Sequence, residues 1–339
     1  MAPTVSVVIP TFGRSRFVVE AVRAALGQSR SPDEVVVSDD CSPDDTVERL
    51  DEVAMTEPRL RVVRQPKNLG GVDNWSAVID ASRGDYIAYC SDDDQFAPGH
   101  LERAVQFLET NPGIAMVHGA FDTLESLPDG TSRVVSHSLV ARSLIADGVD
   151  AAQYIRKFYS WPFHPSTLVF RRSLWTAAGR FNRRFQLADT EWFLRCSLYG
   201  KIAFLPEVHV INRRHRDNWS NRVGAVEMHR EVAEIVEGFL DELERCGQER
   251  DRVARLRRAW RRFHAYRCAR LALARARAGA REQAVGALLL AVEVTPLLRR
   301  LPRRVVEQVG GFMAGAVGLA QRVLPGRSRY ESLGVSVPK

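Results

Sequence analysis

The chain has 339 residues, 45% hydrophobic and 26% charged, which excludes a disordered or fibrous protein and leaves room for one large domain plus an appendage, or two domains. Lys and Arg outnumber Asp and Glu by 48 to 41, a net charge of +7, but the excess is almost all arginine and no recognisable nucleic-acid motif accompanies it, so no nucleic-acid partner is expected. The five cysteines are odd in number, widely spaced and lack a CxxC pair, which argues against a disulfide framework or zinc site and for a reducing compartment.

In chain order, "VSVVIP" (5–10) reads as a buried strand and "RFVVEAVRAALGQS" (16–29) as a helix ending near Gly27. "DEVVVSDD" (33–40) is a second strand, followed by a helix over 46–53 and a third strand at 59–66. "GGVDNWSAVIDASRG" (70–84) gives a helix and "DYIAYC" a fourth strand. Then come a helix from His100, a strand from Ile114, and a polar stretch (122–148) that reads as a loop or hairpin. A strand and helix follow over 164–182, an amphipathic helix over 188–200, and one or two strands over 201–215. From about 224 nearly everything reads as helix, with a helical hairpin turning at Gly279. Alternating strands and helices predict a mostly parallel α/β sheet, whose ligands sit at the carboxyl ends of the strands. Thr11, Asp39–Asp40 and Asp92–Asp94 all fall at such ends, so acids from separate strands converge on one crevice.

The N-terminus has no basic leader and an apolar run too short for a signal peptide. The best candidate for a spanning helix, 305–324, carries Glu307 and Arg322. The expected location is cytoplasmic, with peripheral contact on the inner membrane face left open.

Adjacent carboxylates at a strand end suit a hard divalent cation, Mg²⁺ or Mn²⁺, that shares its shell with water and phosphate. The plain alternative is a solvated turn, where Asp is common.

Together, "VSVVIPTFGR", "EVVVSDDCSPDDT", "NLGGVDNWSAVIDASRGDYIAYCSDDD" and "DDQFAPGHLE" resemble the nucleotide-sugar-binding half of a family 2 glycosyltransferase with the GT-A fold. Residues 164–220 resemble that family's acceptor half, so the resemblance covers roughly 220 residues. It implies a Rossmann-like sheet flanked by helices over 1–223, with a donor half (1–110) and an acceptor half (111–223). A helical extension over 224–339 completes the chain.

The resemblance also implies roles. Pro10, Thr11 and Phe12 would line the base and ribose pocket. Asp40 would accept the imide N–H of a pyrimidine, which suits a UDP- or dTDP-sugar; its neighbour Asp39 is read as a turn cap. Asn68 would shape the loop near the base, with Gly70 allowing the turn. Asp93 matches the last aspartate of the metal-binding DxD motif, whose first position falls on Ser91. Asp93 and Asp94 are therefore the expected metal ligands, with Asp92 beside them at the donor. Asp189, in "ADTEWFLR", aligns with the carboxylate that deprotonates the acceptor hydroxyl. Glu191 does not share its helix face. In "NRRHRDNWS", His215 would touch the diphosphate or metal, with Arg213, Arg214 and Arg216 adding charge. His164 and Trp161 are candidates for the acceptor pocket.

The activity implied is inverting sugar transfer to a carbohydrate, lipid-linked or small-molecule acceptor, as in cell-surface polysaccharide, glycolipid or glycosylated-metabolite biosynthesis. The rivals are a nucleotidyltransferase, which "PTFGRSR" with its single Gly fits poorly, and a non-catalytic protein of the same fold. A dinucleotide-binding dehydrogenase is disfavoured because no GxGxxG follows the first strand. The arginine-rich helical tail has three readings: packing on the catalytic domain, oligomer formation, or contact with an anionic membrane surface.

Overall fold

The computed structural model describes residues 3–126, 132–138, 143–148, 150–151, 164–215, 218, 224–247 and 250–293, with 304, 307 and 308. Trp161, Arg216 and most of the 305–324 stretch lie outside the described residues. Two compact units emerge: residues 1–223 with 234–256, and 224–233 with 257–339. The expectation placed everything after 223 in one helical region; residues 234–256 instead group with the sheet.

The first unit begins with β1 (Val5–Thr11), α1 (Ser15–Leu26), β2 (Glu34–Asp39), α2 (Thr46–Ala54), β3 (Leu60–Arg64), α3 (Gly71–Ala81) and β4 (Tyr86–Tyr89). It continues with β5 (Gln95–Phe96), α4 (His100–Thr110), β6 (Ile114–Ser126), β7 (Ser132–His137) and β8 (Leu144–Ala146). A 3₁₀ turn (Pro165–Thr167), β9 (Val169–Arg171), α5 (Arg172–Ala178), α6 (Ala188–Cys196) and β10 (Lys201–Arg214) follow. The strand order is β3-β2-β1-β4-β9-β6-β10-β5, with β7 on β6 and β8 on β10. Strands β1 to β4 pair in parallel, β9 runs antiparallel between β4 and β6, and β6 and β10 are again parallel. Over its described residues the polar stretch after 121 follows the hairpin reading, because β6 continues to Ser126 and β7 pairs with it antiparallel.

All seven residues of β1 are buried, which its β-branched run requires of a strand covered on both faces. Val5, Val7 and Ile9 pack on one face with Val18 and Val22 of α1 and Leu101 and Val105 of α4. Val8 faces the other way, in the layer formed by Val78 and Ile79 of α3, Trp175 of α5 and Trp192 of α6. The chain leaves β1 towards β2 on one side, yet reaches β4 on the other. This reversal opens a crevice at the carboxyl end of β1, the usual ligand position in open α/β sheets.

β10 is one strand of 14 residues rather than two, with register shifts at Leu205/Val208 and Val208/Val210. The residue inserted at the second shift is His209, fully buried, its Nδ1 2.7 Å from Nδ1 of buried His100. Burial drives the pKa of His100 well down and that of His209 to about 3, so the pair is neutral. One neutral ring donates Nδ1–H and the other accepts.

In the second unit, α8 (Arg250–Arg277), from Arg257 onward, and α9 (Arg281–Glu293) form the expected hairpin around Gly279. Ala272 and Ala287 pack with Val226, at the start of α7 (Ala225–Arg245). Buried Trp260, His264, Cys268, Ala272 and Ala276 recur every fourth residue along α8. No helix among the described residues is long and apolar enough to cross a membrane.

A Cβ on Gly119 would lie 2.1 Å from Cδ2 of His209. Gly119→Ala is therefore expected to cost roughly 1–3 kcal/mol of stability, read by chemical denaturation. Adding His209→Ala should recover part of the loss relative to His209→Ala alone.

Candidate active site

The carboxyl end of β4 delivers Asp92, Asp93 and Asp94 beneath the surface, at 6%, 7% and 1% exposure. Three adjacent buried acids must be met by donors or cations, because an uncompensated buried carboxylate is very costly. Each acid is met by a different set. Asp92 accepts hydrogen bonds from Thr11 Oγ1 (2.8 Å) and Arg14 Nη1 (2.8 Å). Asp93 accepts through Oδ2 from Arg14 Nη1 (2.6 Å), Asn218 Nδ2 (3.1 Å) and His215 Nε2 (3.1 Å). Asp94 accepts from Ser166 Oγ (2.5 Å), Asn212 Nδ2 (3.0 Å) and the Arg213 N–H (3.3 Å). Burial raises the pKa of Asp92 and Asp94; Arg14 opposes this at Asp92, and His164 at Asp94.

These partners sort the acids as cation ligands. All hydrogen bonds to Asp93 land on Oδ2, so Oδ1 is the oxygen it can offer an ion. Asp94, expected as the second ligand, is instead committed through both oxygens to the 3₁₀ turn and β10. Ser91 is likewise tied to the turn, its N–H donating to Ser166 Oγ at 2.9 Å. No group of three His, Cys, Asp or Glu side chains among the described residues is arranged to hold an ion. Of the six carboxylate oxygens of the cluster, Asp93 Oδ1 is the one that accepts no hydrogen bond among the described residues, so a hard divalent cation would be held by Asp93 with water and non-protein oxygens completing its shell.

At the ends of β1 and β2, Asp40 accepts the N–H groups of Leu69 (2.6 Å) and Gly70 (3.0 Å). Gly70 has φ +85°, a conformation that L side chains rarely adopt. Asn68 Oδ1 also accepts the Gly70 N–H, at 3.0 Å. Burial, the largest influence, raises the pKa of Asp40, partly offset by those two N–H bonds. The neighbouring Asp39 is 2% exposed; its Oδ2 accepts the Ser42 N–H, while its buried Oδ1 has no donor among the described residues. An unpaired buried carboxylate oxygen in the ligand crevice is a stronger binding signal than a turn cap. Pro10 is buried in β1 opposite Ser38, and Thr11 is used by Asp92, whereas Phe12 is 47% exposed. Asn74 ties the strand ends together, donating to the Ser38 carbonyl at 3.0 Å.

Asp189 lies in the first turn of α6 and accepts the Thr190 N–H through Oδ1 at 2.8 Å. It shares a cavity of about 40 Å³ with Ser91, walled by Trp75, Tyr89, Phe181 and Trp192. Burial raises its pKa to about 6 against the pull of the Thr190 N–H. Glu191 is engaged elsewhere, in an ion pair with Arg195 at 2.8 Å. A larger cleft of about 340 Å³, beside Asp147 and residues 197–201, contains none of the candidate residues.

The basic stretch ending β10 is anchored on α1. His215 stacks on Phe17 at 5.1 Å, and Arg213 lies over the same ring and pairs with Glu20 at 2.7 Å. Arg213 is therefore committed to α1. His164 Nε2 is 3.0 Å from Asn212 Nδ2, and its Nδ1 is 3.5 Å from Asp94. Arg14, Ser166, Asn212 and Asn218 were not singled out from sequence. Arg14 directly follows "PTFG", and both asparagines lie in the basic motif; nothing local marks Ser166.

The family model "Glycosyl transferase family 2" matches residues 6–133. An uncharacterized glycosyltransferase of Haemophilus influenzae is 24% identical over 223 residues, covering 65% of this chain and 68% of that protein. Residues 6–133 of the chain thus carry a family 2 glycosyltransferase domain. This glycosyltransferase is also 27% identical over 221 residues to a hyaluronan synthase of Pasteurella multocida; the match covers 64% of the chain but only 21% of the synthase. S. aureus TarS 1–349 in complex with UDP superposes with a TM-score of 0.65 at 16% identity, covering 96% of this chain and 93% of that one. The mannosyltransferase PcManGT from Pyrobaculum calidifontis, in complex with GDP-Man and Mn²⁺, gives 0.55 at 15% identity over 96% and 89% of the two chains. These neighbours establish the GT-A fold for the glycosyltransferase.

Replacing Asp94 with Ala would leave Ser166, Asn212 and the Arg213 N–H without their acceptor. Asp94→Ala should destabilise the protein by roughly 1–3 kcal/mol, measured by urea denaturation. A stability unchanged from the parent would show that Asp94 is not structural.

Proposed function

We propose that this glycosyltransferase moves a sugar from a UDP- or dTDP-type donor to an acceptor hydroxyl with inversion. The observation that carries this reading is the shared cavity of Asp189 and Ser91, which joins a candidate base to the loop bearing the acidic cluster. In this reading Asp39 Oδ1 accepts the imide N–H of the pyrimidine, and Asp40 holds the Leu69–Gly70 loop beside it. That reverses the roles expected from sequence, and the unpaired oxygen of Asp39 supports the reversal. The exposed ring of Phe12 offers an apolar face to the nucleoside. Asp93 Oδ1 would hold Mg²⁺ or Mn²⁺, which when bound offsets the charge that grows on the departing diphosphate. A donor complex with Mn²⁺ in a neighbour of the same fold supports that choice of ion.

Asp189 takes the acceptor's proton as its oxygen attacks the anomeric carbon. The new C–O bond forms as the bond to the diphosphate breaks, and attack from the face opposite the leaving group inverts the centre. The aromatic walls keep Asp189 poorly solvated, which raises its basicity relative to an exposed carboxylate. A curated relative named as a hyaluronan synthase supports an acceptor of carbohydrate type.

The two crevice acids separate by experiment. Asp39→Ala should weaken UDP binding about tenfold or more, with little change in stability. Asp40→Ala should cost roughly 1–3 kcal/mol of stability by freeing two N–H groups. Isothermal titration with UDP beside thermal melts tests both; weakened UDP binding in Asp40→Ala alone, at unchanged stability, would return the base contact to Asp40.

Because Asp189 must be ionised to act, kcat/KM should fall as pH drops through about 6, with unit slope. Asp189→Asn should lower kcat by about 10²–10⁴ and remove that acid limb while leaving UDP binding in place. An Asp189→Asn enzyme with parental turnover would sink the assignment.

A further inference from the structure

Among the described residues, Arg14 is the one cation that bridges two of the three clustered acids. Its Nη1 lies 2.8 Å from Asp92 Oδ1 and 2.6 Å from Asp93 Oδ2, and its side chain is 22% exposed. Thr11, whose hydroxyl fixes the other oxygen of Asp92, is only three residues earlier. With a serine at position 91 and Asp94 tied into its own network, the charge that remains to be balanced is that of Asp92 and Asp93. Arg14 supplies half of it from within the chain.

We propose that Arg14 is an exchangeable counter-cation: it holds Asp92 and Asp93 together in the free enzyme and opposes a divalent ion at Asp93 until a nucleoside diphosphate gives its guanidinium a new partner. The inference rests on the reading of Asp93 as the ion's ligand. A guanidinium on Oδ2 and a dication on Oδ1 of one carboxylate repel strongly at such short range in a partly buried site. Phosphate oxygens are the anions that a guanidinium pairs with best, often through two parallel hydrogen bonds. Moving the guanidinium from carboxylate to phosphate relieves the repulsion, so metal and nucleotide bind each other's complex more tightly than the free protein. Such coupling is reciprocal: the factor by which UDP tightens the metal is the factor by which the metal tightens UDP.

The test is Mn²⁺ binding to the full-length protein, followed by the electron paramagnetic resonance of free Mn²⁺, with and without UDP. Arg14→Gln should bind Mn²⁺ alone about tenfold or more tightly than the parent, and UDP should enhance that binding less than in the parent. Arg14→Lys, which keeps the charge on a shorter reach, should fall between the two. Adding Asp93→Asn to Arg14→Gln should abolish the gain. Unchanged Mn²⁺ affinity in both Arg14 variants, with binding still lost in Asp93→Asn, would overturn the role of Arg14 and leave the metal reading standing. Binding that ignores Asp93→Asn in every form would overturn both.

Discussion

The site depends on one electrostatic constraint: three consecutive carboxylates are carried below the surface at the end of a central strand. No local turn could satisfy them all. Their donors come from the end of β1 and the start of α1, from the 3₁₀ turn before β9, and from the far end of β10. Segments up to 125 residues apart in sequence are thus bound to one short loop. The cost of burying charge is offset only if all of them arrive together. The cluster therefore joins the parallel strands β1 and β4 to the 3₁₀ turn and to β10.

The first helix shows how one element serves core and site at once. Val18, Ala21, Val22 and Ala25 bury one stripe of α1 against the sheet. Phe17 and Glu20, three residues apart on another face, receive His215 and Arg213. The aromatic and ionic contacts set the position of the last residues of β10, and so place His215 against Asp93. Packing fixes the helix, and the helix in turn aims the basic end of β10.

Much of the fold was legible because parallel strands buried on both faces leave unmistakable β-branched runs, as in "VSVV" and "EVVV". The antiparallel entry of β9 was not, since three residues, "VFR", carry no information on direction. The continuity of β10 was obscured because inserted residues break the alternation that marks a strand. At the site, the clustered acids were legible, but neither their ranks nor their partners Arg14, Ser166, Asn212 and Asn218 were. Asp92, Asp93 and Asp94 are chemically alike, and only partners distant in sequence distinguish a held carboxylate from an available one. Asp39 and Asp40 differ for a simpler reason: successive side chains at a strand end point opposite ways, and sequence does not say which way faces the Leu69–Gly70 loop.

The irregular middle of β10 has a consequence for how chain length can vary. Relative to β6, the strand gains three residues between Leu205 and Val210, an odd number, which reverses the facing of everything after it. The reversed stretch includes Asn212, whose side chain meets Asp94, and Arg213, which meets it through the backbone. Identity in this segment is loosely constrained where it is exposed, as at Glu207, but residue count is fixed by parity. A single insertion or deletion there would turn the asparagine away from the acids while leaving every candidate side chain in the sequence. The spacing from Leu205 to Asn212 is thus a constraint on the acidic cluster in its own right.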